Sequence, residues 1–271
     1  MSEMRIGGGR ARRRQRNGTG KHRGGMMCES CGCGDGIGHV HGHEHGHGHD
    51  HGHEHGHEHG HVIQVRTSAL ALNQRLADQN RGWFRAKGWT VFNLLSSPGS
   101  GKTALLERTL AKMEGAAALV GDLQTERDAE RLRAAGGVAV QITTGETCHL
   151  DAHMVAHALE RLPGEGVRWL FIENVGNLVC PASFDLGEKR RVVLLSVTEG
   201  EDKPLKYPVI FRGADLVLVT KCDLVDAVGF DRDAALANIR QVAPKAEILE
   251  VSAKTGAGME EWLRWVEAQR G

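Results

Sequence analysis

The chain has 271 residues, enough for one domain of about 200 residues and an appended segment, because domains usually span about 100–200 residues. Its 34 Lys and Arg residues balance its 34 Asp and Glu residues, so no overall field favours nucleic acid or a membrane surface as a partner. We find no signal peptide and no apolar run near the roughly 20 residues of a spanning helix, and we expect a cytoplasmic protein that binds neither membrane nor nucleic acid.

The N-terminal quarter divides into three segments that cannot bury a core and are predicted to be disordered. Residues 1–25 form a basic leader with seven arginines and one lysine. Residues 26–34 read MMCESCGCG, and the linker at 35–61 carries histidine at every odd position from 39 onward. We assign the remainder, 62–271, to a globular domain.

In this domain, the spacing of apolar residues predicts a helix over 65–88 that ends at Gly88, and afterwards apolar runs alternate with helical segments. Strands are predicted at 90–96, 116–122, 138–142, 168–173, 191–197, 215–221 and 246–252. Further helices are predicted at 102–113, 126–135, 150–162, about 231–242 and about 257–269. This alternation indicates an α/β fold with a doubly wound, mostly parallel sheet, in which ligands bind at the carboxyl ends of the strands.

The first predicted strand leads into SSPGSGKT at 96–103. Small residues let backbone N–H groups face phosphates at a helix N-terminus, Lys102 adds positive charge, and the Thr103 hydroxyl can ligate Mg²⁺. Ser96 stands where the general pattern has glycine. A simple glycine turn, the alternative, would not explain Lys-Thr at this position. We predict a phosphate-binding loop (P-loop) made by Gly99, Ser100, Gly101, Lys102, Thr103 and Ala104.

Two later motifs indicate which base is bound. In TKCD (220–223), Asp223 can accept two hydrogen bonds from guanine, the stem of Lys221 can lie along the base, and Thr220 replaces the usual Asn. A surface-loop aspartate would explain TKCD alone. The later SAK motif supplies Ser252, Ala253 and Lys254. Together with SAK and the P-loop, TKCD predicts GTP and GDP as the nucleotides.

Two carboxylates end predicted strands near the phosphates, Asp122 in GDLQTERDAER and Glu173 in FIENVGN. Either can hold Mg²⁺, which prefers oxygen ligands. For each, the alternative is a carboxylate that merely caps a strand end. Glu173 and Gly176 occupy the positions of the Asp-x-x-Gly motif of GTPases. The candidate catalytic residues are therefore Lys102, Thr103, Asp122, Glu173 and Gly176.

A second metal site is indicated by Cys148 and His149 in TGETCHLDAH and by Cys180 in ENVGNLVCP. Thiolate and imidazole suit Ni²⁺, Zn²⁺ or copper, and three ligands leave a position that a second subunit can fill. A single cysteine is more often a small buried apolar residue. The repeat of histidine at 149, 153 and 157 most often marks a solvated or half-buried helix face.

These motifs together resemble the HypB family, GTPase accessory proteins for nickel insertion into [NiFe] hydrogenase. The resemblance spans about residue 27 to the end and rests on CESCGCG, the histidine run, the P-loop, GDLQTERDAER, TGETCHLDAH, ENVGNLVCP, TKCD and SAK. It implies a SIMIBI-like P-loop NTPase fold and a homodimer that holds Ni²⁺ or Zn²⁺ near its interface through Cys148, His149 and Cys180. Implied partners are a HypA-type nickel accessory protein and the hydrogenase large-subunit precursor.

The expected function is nickel delivery coupled to slow GTP hydrolysis, below about 1 s⁻¹ by analogy with unassisted GTPases. A urease-type nickel GTPase and a nickel storage protein are the alternatives. A GTP hydrolysis assay would separate the storage alternative. The most informative single experiment is equilibrium titration of the dimer with nickel and zinc, in the presence of GDP and of a GTP analogue.

The resemblance also assigns a tight nickel site to Cys28, Cys31 and Cys33. A terminal α-amino group, whose pKa is about 7.7–8.0, can complete this site, so we expect translation to begin at Met27 or Met26. The histidine run is expected to be a weak nickel reservoir, and a solvated linker without metal is its alternative.

Overall fold

The computed structural model describes residues 58–270, with side chains from residue 67 onward. The predicted leader, the cysteine motif and the histidine linker up to residue 57 lie outside the described residues. Helix α1 (Glu58–Lys87) begins inside the range assigned to the linker and ends before Gly88, as predicted. In the part of the chain that the structure describes, no helix is long and apolar enough to cross a membrane.

Residues 58–270 form a seven-stranded sheet in the order β3-β2-β4-β1-β5-β6-β7, with every pair of neighbours parallel. The strands are β1 (Thr90–Ser96), β2 (Ala116–Asp122), β3 (Val138–Thr143), β4 (Trp169–Glu173), β5 (Arg190–Ser196), β6 (Leu216–Thr220) and β7 (Glu247–Val251). The predicted fold class is confirmed, and no predicted strand end differs from the structure by more than one residue. All seven carboxyl ends therefore lie along one edge of the sheet.

The longer predicted helices are also present. They are α2 (Lys102–Leu110), α3 (Arg127–Ala134), α4 (Ala152–Leu159), α8 (Arg232–Val242) and α9 (Met259–Ala268). The sequence missed three short helices, α5 (Lys203–Lys206), α6 (Pro208–Arg212) and α7 (Val225–Val228). Single turns are too short to show helical periodicity, and the prolines that open α5 and α6 read as breakers in sequence.

Alternation along the strands places apolar side chains on both faces of the sheet. On one face, Phe92 packs with Phe171 and Trp262 beneath α2, α3 and α9, and the Phe92 and Phe171 rings stack with centroids 5.1 Å apart. On the other face, Val91, the residue before Phe92 in β1, packs with Phe84 of α1. Close packing of these two layers fixes the position of the strands and therefore of the loops at their carboxyl ends.

Candidate nucleotide and metal site

The phosphate-binding loop follows β1 at the centre of the sheet and opens α2. Gly99 (φ 72°) and Gly101 (φ 96°) adopt left-handed backbone conformations that disfavour other residues. Lys102 is buried, and its Nζ donates a 2.7 Å hydrogen bond to Ser96 Oγ. The serine that replaces the usual first glycine therefore positions the lysine, which the sequence did not predict.

Ser100 connects this loop to two other strand ends. Its Oγ lies 2.8 Å from the Ser97 carbonyl oxygen and 2.5 Å from Glu199 Oε1. Its own carbonyl accepts a 2.7 Å hydrogen bond from Thr220 Oγ1. Thr220, which stands in place of the usual Asn, thus connects the TKCD motif to the P-loop.

Glu173, at the end of β4, lies directly against α2. Thr103 Oγ1 donates a 2.9 Å hydrogen bond to Glu173 Oε1, whereas the buried Oε2 has no hydrogen-bond partner among the described residues. Burial raises the pKa of Glu173 to about 7, against the opposing effects of the Lys102 charge and the Thr103 hydrogen bond. Burial also lowers the pKa of Lys102, partly offset by the charge of Glu173.

The second predicted carboxylate, Asp122, makes its hydrogen bonds inside its own turn. Its side chain accepts from the Leu123 backbone N–H at 2.6 Å and from the Thr125 hydroxyl. These bonds hold Asp122 half-buried at the end of β2, so its predicted contact with Mg²⁺ stays a prediction.

The predicted base-reading motifs, TKCD and SAK, line a cavity of about 240 Å³ beside the P-loop. Ser252 Oγ donates a 2.5 Å hydrogen bond to Asp223 Oδ1 and fixes that carboxylate at the cavity wall. Lys221 has φ 58° and is the one non-glycine residue with a left-handed backbone within 58–270. The lining residues are Ser100, Gly101, Ala104, Leu105, Thr220, Lys221, Asp223, Leu224, Val251, Ser252, Ala253 and Lys254.

The three residues of the second predicted metal site come together from two loops. One ligand atom each from Cys148, His149 and Cys180 lies within 4.8 Å of the others, close to the roughly 4.6 Å that two thiolates on one ion can span. The His149 ring stacks on Phe184 with centroids 3.9 Å apart. Burial lowers the pKa of His149, an effect that Asp151 opposes, and this favours the neutral imidazole that binds metals.

His149 Nδ1 is also buried without a hydrogen-bond partner among the described residues. Burying a polar atom without a partner costs free energy of folding. Coordination of a metal ion by His149 and the two cysteines would offset this cost. Cys28, Cys31 and Cys33 lie outside the described residues.

The segment from Glu173 to Cys180 connects the nucleotide and metal regions through two asparagines that the sequence did not single out. Asn174 Oδ1 accepts the Leu150 N–H at 3.2 Å, immediately after His149. Asn177 Nδ2 donates to the Cys148 carbonyl at 3.4 Å, and its Oδ1 accepts the Val179 N–H at 2.8 Å. Loop asparagines give no signal in the sequence. Glu199, the partner of Ser100, was also missed, although Ser196 and Glu199 form a capping box that the sequence could have indicated.

The central strand of the parallel sheet leads into a P-loop, beside a pocket lined by the TKCD and SAK motifs. This architecture defines a P-loop nucleotide-binding protein. The family described as CobW/HypB/UreG, nucleotide-binding domain, matches residues 90–250. Hydrogenase maturation factor HypB of Azotobacter vinelandii is 55% identical over 213 residues, covering 78% of this chain and 70% of the relative. HypB of Escherichia coli (strain K12) is 53% identical over 212 residues, covering 77% and 73%.

Among solved structures, HypB from Helicobacter pylori in complex with nickel superposes with a TM-score of 0.71 at 42% identity, covering 73% of this chain and 94% of that one. The chain belongs to the HypB family of hydrogenase maturation factors. The family resemblance and the GTPase activity expected from the sequence are thereby confirmed.

Proposed function

We propose that this chain uses the GTP cycle to control a nickel ion held by Cys148, His149 and Cys180 during [NiFe] hydrogenase maturation. The observation that carries the proposal is the position of the segment from Glu173 to Cys180. Its first residue accepts the Thr103 hydrogen bond at the nucleotide site, and its last is a metal ligand candidate.

The middle of this segment packs against the P-loop. A Cβ atom built on Gly176 would lie 2.7 Å from Pro98 Cα and 2.8 Å from Pro98 N, so these two backbones are in direct contact. Asn177, the next residue, bridges the Cys148 carbonyl and the Val179 N–H. A shift of the P-loop on hydrolysis would therefore displace both sides of the metal site.

At the nucleotide, Lys102 supplies positive charge, and the N–H groups at the start of α2 face the phosphates. Mg²⁺ fits beside them because Thr103 and the unpartnered Glu173 Oε2 offer oxygen ligands, with Asp122 as a further candidate. When bound, Mg²⁺ neutralises phosphate charge. Asp223 selects guanine from the opposite end of the pocket.

Nickel is the cargo in this proposal, which the nickel complex of the H. pylori relative supports. Two cysteines and one imidazole suit Ni²⁺ or Zn²⁺ and leave a coordination position for a second copy of the chain in a homodimer. A cytoplasmic location, a HypA-type nickel donor and the hydrogenase large-subunit precursor as recipient complete the proposal. The N-terminal cysteines and histidines would store or pass on nickel.

The test is equilibrium nickel binding to the full chain with GDP or with a non-hydrolysable GTP analogue. Wild type should show one class of site whose nickel affinity differs between the two nucleotides. Cys180→Ser should lose that difference and retain nickel binding by the tail, which serves as the internal control. Equal nickel isotherms for wild type with both nucleotides would refute the coupling.

A further inference from the structure

A chain of buried polar side chains runs from the central strand of the sheet to the metal site. Asn93, in the middle of β1, is fully buried. Its Nδ2 donates to Glu188 Oε1 at 3.2 Å, and its Oδ1 accepts from Asn174 Nδ2 at 3.3 Å. Asn174 Oδ1 in turn accepts the N–H of Leu150, the residue after His149. Two amides therefore connect a buried carboxylate to the backbone beside a metal ligand candidate.

Three donors converge on the Glu188 carboxylate. Arg191 Nε and Asn93 Nδ2 both donate to Oε1, at 2.6 and 3.2 Å, and the Leu186 N–H donates to Oε2 at 2.7 Å. A carboxylate accepts at both oxygens and satisfies all three, whereas the NH₂ group of a carboxamide would have to face a donor. Because Asn93 presents Nδ2 to this acceptor, its Oδ1 is left for the second amide. The carboxylate thus sets the direction of both amides.

The same carboxylate also holds the segment that packs on the His149 ring. Phe184 stacks on this imidazole with ring centroids 3.9 Å apart. The ion-pair partner of the carboxylate, Arg191, donates to the carbonyl oxygens of Phe184 and Ala182, each at 3.3 Å. These carbonyls lie in and just after the short 3₁₀ turn Cys180–Ser183. The carboxylate therefore acts on the backbone next to His149 and on the phenyl ring stacked against it.

We propose that Asn93 and Glu188 are positioning residues for nickel binding at Cys148, His149 and Cys180, an inference that rests on the function proposed above. Neither is itself a ligand. They hold the His149 ring in place before nickel binds, through its backbone on one side and its stacked phenyl ring on the other, so less ordering opposes binding. Removing partners that orient a ligand typically lowers metal affinity about 10–100-fold.

Thiolate-to-nickel absorption measures this site in the full-length chain once the three tail cysteines, at positions 28, 31 and 33, are replaced by serine. The histidine tail still binds nickel in this background, but imidazoles give no thiolate band. Titration with buffered Ni²⁺ yields the affinity of the site, and the shape of the band at saturation reports the coordination geometry. Cys180→Ser in the same background should lose most of the band, which assigns it to Cys148 and Cys180.

Two substitutions test the chain independently, so one folded variant suffices. Glu188→Gln keeps the shape of the side chain and leaves one of its three donors unpaired, and it should lower nickel affinity about tenfold or more and alter the band at saturation. Asn93→Val removes the first amide and should do the same. The double variant should bind nickel little worse than either single variant, because both residues act through one chain.

Thr109→Val is the matched control. Thr109 is also fully buried, and its Oγ1 accepts a 2.9 Å hydrogen bond from Trp262 Nε1 between α2 and α9. Its replacement should lower the free energy of unfolding in urea and leave the nickel affinity and the band unchanged. If Glu188→Gln and Asn93→Val also lower stability without changing affinity or band, their role is merely structural and the proposal is overturned. Absence of the band in the background chain would overturn the metal site of the proposed function, and the positioning role with it.

Discussion

Thr103 and Glu173 are joined inside the protein by a 2.9 Å hydrogen bond from Thr103 Oγ1 to Glu173 Oε1. Thr103 lies in the first turn of α2, after the P-loop, and Glu173 is the last residue of β4. The same β4 end continues through Gly176 and Asn177 to Cys180. A single covalent segment therefore connects the residue that contacts Thr103, at the nucleotide phosphates, with a candidate metal ligand.

Glu173 should make stability depend on pH. With a pKa of about 7 in the folded chain and about 4.5 when unfolded, the folded state binds more protons between these values, so stability falls as pH rises through that window. The penalty at pH 8 amounts to roughly 3 kcal/mol, at about 1.4 kcal/mol per pKa unit. Glu173→Gln should thus be more stable than wild type in urea unfolding at pH 8, without nucleotide or metal, and nearly equal at pH 5. The same difference at both pH values would contradict the burial effect.

Gly176→Ala should disturb the contact between the metal loop and the P-loop. The new Cβ would meet Pro98 backbone atoms at 2.7 and 2.8 Å, which we expect to destabilise the fold by about 1–3 kcal/mol. Affinity for a GTP analogue should fall as well. Gly82→Ala in α1, where a Cβ meets nothing within 4 Å, is the matched control and should be neutral or stabilising. Equal effects of the two substitutions on unfolding free energy would show that the contact is unimportant.

Asp223→Asn should change nucleotide choice. The carboxylate can accept two hydrogen bonds from guanine, whereas a carboxamide offers one donor and one acceptor, which suits xanthine. We expect GTP affinity to fall about 100-fold or more and xanthosine triphosphate affinity to rise, measured by competition against a fluorescent nucleotide. The Ser252 hydroxyl can still donate to the amide oxygen, so the fold should be retained. Undiminished GTP binding would remove Asp223 from the base site.

Lys102→Ala should reduce GTP turnover about 100-fold or more, because a buried positive charge at the phosphates is lost. Phosphate release under saturating GTP measures this. Lys112→Ala, which removes an exposed lysine just after α2, should leave turnover unchanged. If both variants hydrolyse GTP at the wild-type rate, the P-loop assignment is wrong.

The sequence predicted the sheet well because buried parallel strands are short apolar runs with turn residues at both ends. Helix ends were less predictable. Helix α4 was expected from residue 150 and begins at Ala152, since Asp151 caps it by accepting the Met154 N–H and the Leu150 N–H is taken by Asn174. A local cap, Asp151, and a tertiary partner just after β4, Asn174, therefore set this boundary.

Part of the candidate site could be predicted from the sequence, and part could not. Lys102, Thr103 and Asp223 have side chains whose chemistry is evident at fixed motif positions. The roles of Ser96 and Thr220 depend on which backbone and side-chain groups they meet across the sheet, and these partners are 6 and 120 residues away in the chain. Glu173 was expected at the phosphates, but its raised pKa follows from burial that a sequence motif does not encode.

Asn177→Ala should separate the two sites while keeping every metal ligand. It removes the contacts with the Cys148 carbonyl and the Val179 N–H, so nickel still binds, but its affinity should no longer depend on the bound nucleotide. Asn238→Ala removes a side-chain hydrogen bond to the Glu201 carbonyl, far along the chain from both loops, and is the control. Full nucleotide dependence in Asn177→Ala would show that coupling takes another route.

The most direct measurement is the affinity of the full chain for a fluorescent GTP analogue with and without Ni²⁺, because linkage is reciprocal and the histidine tail does not bind the probe. The account predicts that nickel changes this affinity about fivefold or more in wild type and leaves it unchanged in Cys180→Ser. Equal affinities for wild type with and without nickel would contradict the proposal that the segment from Glu173 to Cys180 couples nucleotide state to the metal site.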